Sequence, residues 1–200
     1  MRLDRFYPIV GDADWVARLA PLGIKLVQLR LKDRSEADLR DHIARAKALC
    51  ERHRVQLVVN DYWRIALDLG CSDIHLGQED LGQADLAAIR RAGLRLGVSS
   101  HDEAELERAL SVDPAYIALG PVYPTLLKKM PWAPQGLEKL TRWKARIGTI
   151  PLVAIGGLTI PRLEGVFAAG ADSTAVVTDI LTAPDPETRC RDWLRATRAP

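Results

Sequence analysis

The chain has 200 residues, 48% of them hydrophobic, and its 28 basic residues nearly balance 26 acidic ones for a net charge of +2. That length and apolar content fit one globular domain with a sizeable core, and the charge balance excludes a general nucleic-acid binder or a polybasic membrane surface. The opening MRLDRFYPIV lacks a signal-type apolar core and no apolar run approaches membrane-spanning length, so a soluble, cytoplasmic protein is expected.

In chain order, the first apolar runs with strand character are FYPIV (6–10) and KLVQLR (25–30). A helix is predicted from Ser35 to Arg52: Ser35 and Asp38 have near-capping-box spacing, and Leu39, Ile43, Ala46 and Cys50 recur on one face. QLVVN (56–60), DIHLG (73–77) and RLGVS (95–99) are the next three strands. HDEAELERAL (101–110) reads as a helix opened by Ser100, with Glu103 three residues on. YIALG (116–120) leads into the one long loop, PVYPTLLKKMPWAPQG (121–136), which is expected to be mobile and functional. PLVAIG (151–156) and STAVVT (173–178) complete the strands, and Asp185-Pro186 caps and opens the last helix.

Short strands that are apolar throughout, separated by helices, imply a parallel sheet covered on both faces. Eight such units suit a single-domain (β/α)8 TIM barrel spanning residues 1–200, with an open doubly wound sheet as the alternative. In a barrel, chemistry gathers where the strands end and the following loops begin. The second strand ends with Gln28, Arg30 and Lys32 at period two, so all three project to one side. Asn60 and Asp61 end the third strand, Asp80 follows the fourth, Ser99 ends the fifth, and Lys128 lies in the loop after the sixth.

Asp61 and Asp80 each have an ordinary structural reading, a helix cap and a first-turn charge respectively. Two carboxylates across one barrel mouth nevertheless repel unless a cation lies between them, and hard oxygen ligands favour Mg2+. With Arg30, Lys32 and Lys128 on the same rim, the pattern predicts a Mg2+-bridged diphosphate. Gly156-Gly157 after the seventh strand and Thr178 after the eighth fall where such barrels bind a phosphate through exposed backbone N–H groups. His42 and His53 read as solvated, His75 as a satisfied core group, and His101 as a reserve residue near the rim; no HxH or HExxH spacing suggests zinc. Trp15, Trp143 and Trp193 read as helix-packing residues, while Trp132 in the long loop is a candidate ligand cover. Cys50, Cys71 and Cys190 form no CxxC and read as buried thiols.

The ordered set QLRLKD, NDYWRIA, HLGQEDL, GVSSH, YIALGPVYPT, VAIGG and AVVT resembles the thiamine phosphate synthases over about Phe6 to Pro186. The resemblance implies a (β/α)8 barrel that joins hydroxymethylpyrimidine diphosphate to thiazole phosphate, releasing pyrophosphate by a dissociative route. It also implies that Asp61 and Asp80 hold Mg2+. Gln28, Arg30, Lys32, Asn60 and Lys128 would bind the diphosphate of the pyrimidine substrate along the segment that includes Leu29 and Leu31, with Ser99 near the pyrimidine. Arg30, Lys32 and Lys128 would carry the catalytic charge stabilisation. Gly157, Val177, Thr178 and Thr125 would take the thiazole phosphate. The chain departs from the family pattern at Leu127, where TxTK has a hydroxyl, and keeps one at Thr178, where the family has serine. The partners expected are small-molecule substrates, with no nucleic acid and no membrane, and homo-oligomerisation is left open. The alternatives are a thiazole tautomerase using His101 as acid/base, or a non-catalytic thiamine phosphate-binding paralogue.

Overall fold

The computed structural model describes residues 3–125 and 133–198. Its strands are β1 (Phe6–Val10), β2 (Leu26–Leu29), β3 (Gln56–Asn60), β4 (Asp73–Leu76), β5 (Arg95–Ser100), β6 (Tyr116–Leu119), β7 (Leu152–Ile155) and β8 (Ser173–Val176). Neighbours pair in parallel in chain order, and β8 returns to β1 through Phe6–Thr174, Tyr7–Ala175 and Pro8–Val176. The sheet is therefore a closed barrel, and the open-sheet alternative falls.

The helices that cross between strands are α1 (Ala13–Leu19), α2 (Glu36–His53), α3 (Trp63–Asp68), α4 (Gln78–Gln83), α5 (Leu86–Arg91), α6 (Glu103–Ser111), α7 (Gly136–Ile147) and α8 (Leu163–Ala168), and α9 (Thr178–Leu181) and α10 (Pro186–Arg198) follow the last strand. None of those described is long and apolar enough to cross a membrane. The longest, α2, forms as its sequence predicts. Ser35 accepts the Asp38 N–H, the buried stripe is Leu39, Ile43, Ala46 and Cys50, and Arg54 ends the helix in the left-handed conformation at φ 56°. The Val55 N–H then closes on Cys50 O at 2.8 Å, which satisfies a carbonyl the helix itself cannot pair.

Alternation along each strand divides the apolar residues into two cores. Tyr7, Ile9, Leu26, Val58, Tyr116, Ala118, Val153 and Ala175 fill the barrel interior. The intervening residues, among them Phe6, Val27, Leu29, Val59, Ile74, Val98 and Ile117, pack outward against the helices. Trp143 and Trp193 are fully buried in that outer layer, as expected. Trp193 stacks on Phe6 at 5.7 Å, and Trp143 donates its indole N–H to Ser100 at 2.9 Å. The three thiols are unbridged; Cys50 and Cys190 are buried as expected, whereas Cys71 is half-buried, and burial raises their pKa to about 12, 12 and 11 respectively.

One cap differs from the sequence expectation. Ser100 belongs to β5 and is buried, donating to Ala118 O at 3.2 Å. The cap of α6 is Asp102, whose carboxylate accepts the Glu105 N–H at 2.9 Å. Strand β5 runs one residue further than its apolar pattern, because Ser100 finds buried partners that the local sequence does not show. His42, expected to be solvated, is half-buried and accepts the Ala13 N–H at 3.4 Å.

Candidate functional site at the barrel mouth

Strand β2 sets the first side of the site. Leu26 lies in the interior core, so Gln28, two residues on, faces inward as well; it is 4% exposed and donates to the Tyr7 hydroxyl at 3.0 Å. The same phase carries Arg30 and Lys32 beyond the strand end, where both are exposed. The Arg30 N–H still pairs with Val10 O at 2.8 Å, so the segment leaves the barrel in register. Leu29 and Leu31 have the opposite phase and are fully buried in the outer core. Only their backbone is available to a ligand.

Strand β3 ends on buried Asn60, in register with His75 of β4. Asp61 then takes φ 66°, a left-handed conformation unusual for a residue with a Cβ. Such strain costs of order 1–3 kcal/mol and persists only where surrounding contacts impose it. Here the Asp61 N–H is tied to His75 O at 2.9 Å, and the Tyr62 and Trp63 N–H groups close tight turns on Asn60 O and Asp61 O at 2.8 Å each. The result aims the carboxylate at Lys32 Nζ, 2.9 Å away, and towards Asp80. Asp61 is not the helix cap of its structural reading, since α3 is preceded by Tyr62 and has no side-chain cap.

Asp80 does keep its reading as a first-turn charge, on α4. Its pKa is raised by partial burial first, then by the charge of Asp61 and a hydrogen bond to it, with Lys32 pulling the other way. The two carboxylates therefore confront each other across the mouth. Gln78 holds the helix of Asp80 in place, donating to Ser99 O at 2.6 Å and accepting from Arg108 Nε at 3.0 Å. Among the described residues no cluster of three or more His, Cys, Asp or Glu could hold a metal. A two-carboxylate set open to solvent is the donor chemistry of a hard cation that keeps waters in its shell.

The opposite side is built by close backbone approach. Gly156 has φ 96° and Gly157 φ 65°; a Cβ on Gly156 would lie 2.6 Å from Pro121 Cα, and one on Gly157 would lie 2.4 Å from Pro124 O. The glycines let the segment after β6 run alongside the end of β7, with Val122 N–H on Ile155 O at 2.8 Å and Tyr123 N–H on Gly156 O at 3.0 Å. This brings Tyr123 and Pro124 against Gly157, and half-buried Thr125 follows them in the chain. Arg162 locks the arrangement, donating to Gly157 O and lying 4.3 Å over the Tyr123 ring. Val177 and Thr178 open α9 next door, anchored by Asp179, which accepts from Trp193 Nε1 at 2.6 Å and from Arg189 Nε at 2.9 Å. Leu127, Lys128 and Trp132 lie outside the described residues.

The sequence pattern missed what lies beneath the mouth. Tyr7, Gln28, His75, Tyr116 and Ser99, from five strands, are linked in one hydrogen-bonded series. Gly97 makes it possible: in register between His75 and Tyr116, it faces inward, and a Cβ there would stand 2.0 Å from Tyr116 Cζ. The Tyr116 ring instead lies over Gly97 and stacks on His75 at 5.5 Å. Burial lowers the His75 pKa to about 4, with Arg30 adding to the effect and Asp61 opposing it. Burial raises both tyrosines well above the ordinary phenol range. His75 is thus the satisfied core group expected of it, but in polar company. The one available signal was the inward phase of both tyrosines. His101, the reserve residue, sits on the α6 cap with Nδ1 2.7 Å from Glu105 Oε2. A surface cleft of about 340 Å³ lined by Ile89, Arg90, Leu94 and Pro114 opens at the other, N-terminal end of the barrel.

Residues 7–180 match the family model described as thiamine monophosphate synthase. A thiamine-phosphate synthase of Rhizobium etli is 64% identical over 197 residues, covering 98% of this chain and 97% of the relative. One of Serratia proteamaculans is 51% identical over 179 residues, covering 90% and 84%. Among solved structures, a thiamine phosphate pyrophosphorylase from Pyrococcus furiosus superposes with TM-score 0.84 at 24% identity, covering 97% of this chain and 95% of that one.

Proposed function

Since the chain belongs to the thiamine monophosphate synthase family, a family of transferases, we propose that it condenses hydroxymethylpyrimidine diphosphate with thiazole phosphate to give thiamine phosphate and pyrophosphate. The observation that carries this reading is the confrontation of Asp61 with Asp80 beside Lys32. Like charges brought together at a strained turn raise the energy of the empty site, and a cation bound to the substrate diphosphate relieves it. Asp61 and Asp80 would hold Mg2+, which when bound supplies positive charge to the diphosphate oxygens.

The remaining roles belong to the side chains. Arg30 and Lys32 stand where negative charge grows as the diphosphate leaves, and their fixed charges favour the departing state over the bound one. By the family resemblance Lys128 joins them. Departure of pyrophosphate leaves a pyrimidine carbocation, which the thiazole nitrogen attacks, so no protein nucleophile is required. Asn60, Gln28 and Ser99 would orient the pyrimidine from the barrel floor. Gly157, Val177, Thr178 and Thr125 would hold the thiazole phosphate on the opposite side, so both substrates meet over the interior.

The test is thiamine phosphate formation from the two purified substrates. Product should require both substrates and Mg2+, and Asp61→Asn and Asp80→Asn should each lower turnover at limiting Mg2+ by at least about a hundredfold, the scale of losing an electrostatic contact to the transition state. Full activity in EDTA, or in either variant, would overturn the assignment.

A further inference from the structure

Strand β8 ends at Val176, and the chain passes at once through Val177 and Thr178 to Asp179. The Asp179 side chain is only 18% exposed. Its carboxylate turns towards α10, where three N–H groups meet it. Trp193 Nε1 at 2.6 Å and Arg189 Nε at 2.9 Å reach Oδ2, and Arg189 Nη2 reaches Oδ1 at 3.1 Å. Arg189 and Trp193 stand four residues apart and so share one face of α10. Trp193 is itself fixed, being fully buried and stacked on Phe6 of β1, which pairs with Thr174 of β8. The carboxylate is thus tied, through α10, back to the strand that precedes it.

Two consequences bear on half-buried Thr178. One is geometric. The strand fixes the backbone before Thr178, the clamped Asp179 fixes it after, and the Thr178 carbonyl is taken by the Thr182 N–H and hydroxyl at 3.1 and 2.8 Å. The other is electrostatic. An unpaired carboxylate one residue away would repel any anion held at Thr178, and charges at that range are incompletely screened in a half-buried setting. Paired through two bonds with a guanidinium that is always charged, the same carboxylate presents little net charge.

We infer that Asp179, Arg189 and Trp193 are positioning residues for an anion at the end of β8: the clamp fixes the Thr178 backbone, and Arg189 cancels the negative charge beside it. Resting on the function proposed above, that anion is the phosphate of the thiazole substrate. The three residues act through Thr178 and not by contact with the phosphate. Arg189 then matters in an unusual way, because its charge is needed only while the Asp179 carboxylate is present. An ordinary tie between two helices would not be mended by removing its second partner.

A charge cycle tests this, on variants that urea titration shows to be folded under the assay conditions. Arg189→Met and Arg189→Gln, two neutral replacements, should each raise KM for thiazole phosphate about three- to tenfold and leave KM for the pyrimidine diphosphate unchanged. Arg189→Lys keeps the charge and should stay within about twofold of wild type. Adding Asp179→Asn to Arg189→Met should bring the thiazole phosphate KM back to within about twofold of wild type, since the carboxamide still accepts the Trp193 N–H but carries no charge. Asp179→Ala removes the acceptor and should raise that KM about threefold although no charge remains. A double variant as impaired as Arg189→Met, or equal losses for both substrates, overturns the charge-cancelling role; an unchanged KM in Asp179→Ala overturns the clamp.

A second measurement does not depend on turnover. In 15N-labelled protein, inorganic phosphate should shift the Thr178 amide, with an apparent Kd raised in Arg189→Met and recovered in the double variant. An amide unmoved by phosphate in the wild type overturns the placement of the anion. If the titration behaves as expected in a chain that forms no thiamine phosphate, the proposed function fails and the clamp stands.

Discussion

His75 and Gly97 show how single positions set the polar floor of this barrel. Burial holds the His75 pKa near 4, below the ordinary histidine value of 6.5, so the unfolded chain binds a proton that the folded one rejects. Stability from this group is fully present above pH 6.5 and is lost as pH falls towards 4, because ∂ΔG/∂pH is positive wherever the unfolded state holds more protons. Between pH 7 and pH 5 the loss is about 2 kcal/mol. Urea melts at both pH values should show wild type losing that much more than His75→Gln; equal losses would mean that the ring is not held neutral. Gly97→Ala would push a methyl into the Tyr116 ring, costing about 1–3 kcal/mol of overpacking, with more if the hydroxyl loses its partners. Tyr116→Ala in the same chain should remove the clash, so the two changes should be clearly non-additive in a double-mutant cycle.

The segment from β5 to α6 separates two roles that adjacent serines and an aspartate could each have taken. Ser99 faces in and Ser100 faces out, as alternation requires. Ser100 accepts from Trp143 of α7, so it fastens a helix to the barrel wall. Asp102 caps α6 and Glu105 reaches back to the His101 N–H at 2.7 Å, a reciprocal arrangement of the capping-box kind shifted by one residue. Asp102→Ala should cost about 1 kcal/mol, the loss of one cap. Ser100→Ala should cost about 1–3 kcal/mol by orphaning the buried indole N–H, and it should change Trp143 fluorescence, which Asp102→Ala should not. Chemical denaturation followed by tryptophan emission measures both.

The two ends of the barrel carry opposite burdens. At the N-terminal end Asp73 is buried and takes Arg95 through two bonds of 2.6 Å and Gln56 Nε2 at 3.0 Å, plugging the interior with a paired charge. At the C-terminal end Asp61 and Asp80 oppose each other, with Lys32 on Asp61 offsetting part of the repulsion and a bound cation able to relieve the rest. A stabilising charge pair therefore lies below and the proposed site above, the division this architecture allows. Asp73→Ala should lower the unfolding free energy by about 1–3 kcal/mol, the lower value because half-exposed Arg95 can turn to water, while kcat stays near wild type. Asp61→Asn should do the reverse, raising or preserving the ion-free melting temperature while abolishing turnover and any Mg2+-dependent rise in that temperature. Loss of stability in Asp61→Asn would show that the aspartate is structural.

The eight strands and the polar residues at their C-terminal ends, Gln28, Arg30, Lys32, Asn60, Asp61, Asp80 and Gly157, were legible in the chain alone. Short apolar runs bounded by polar residues and helical stripes such as Leu39, Ile43, Ala46 and Cys50 are local patterns, and local backbone geometry turns them directly into structure. Closure of the sheet was not legible, because periodicity within a strand is the same in an open sheet and a barrel. Nor were the Asp102 cap, the left-handed turn at Asp61, or the series from Gln28 to Ser99. Each depends on which atoms meet across strands: Gly97 yields space only because register sets it beside Tyr116, and Asp61 points at Asp80 only because the His75 carbonyl holds its N–H. A sequence determines which side chains face inward; only the closed barrel decides which of them touch.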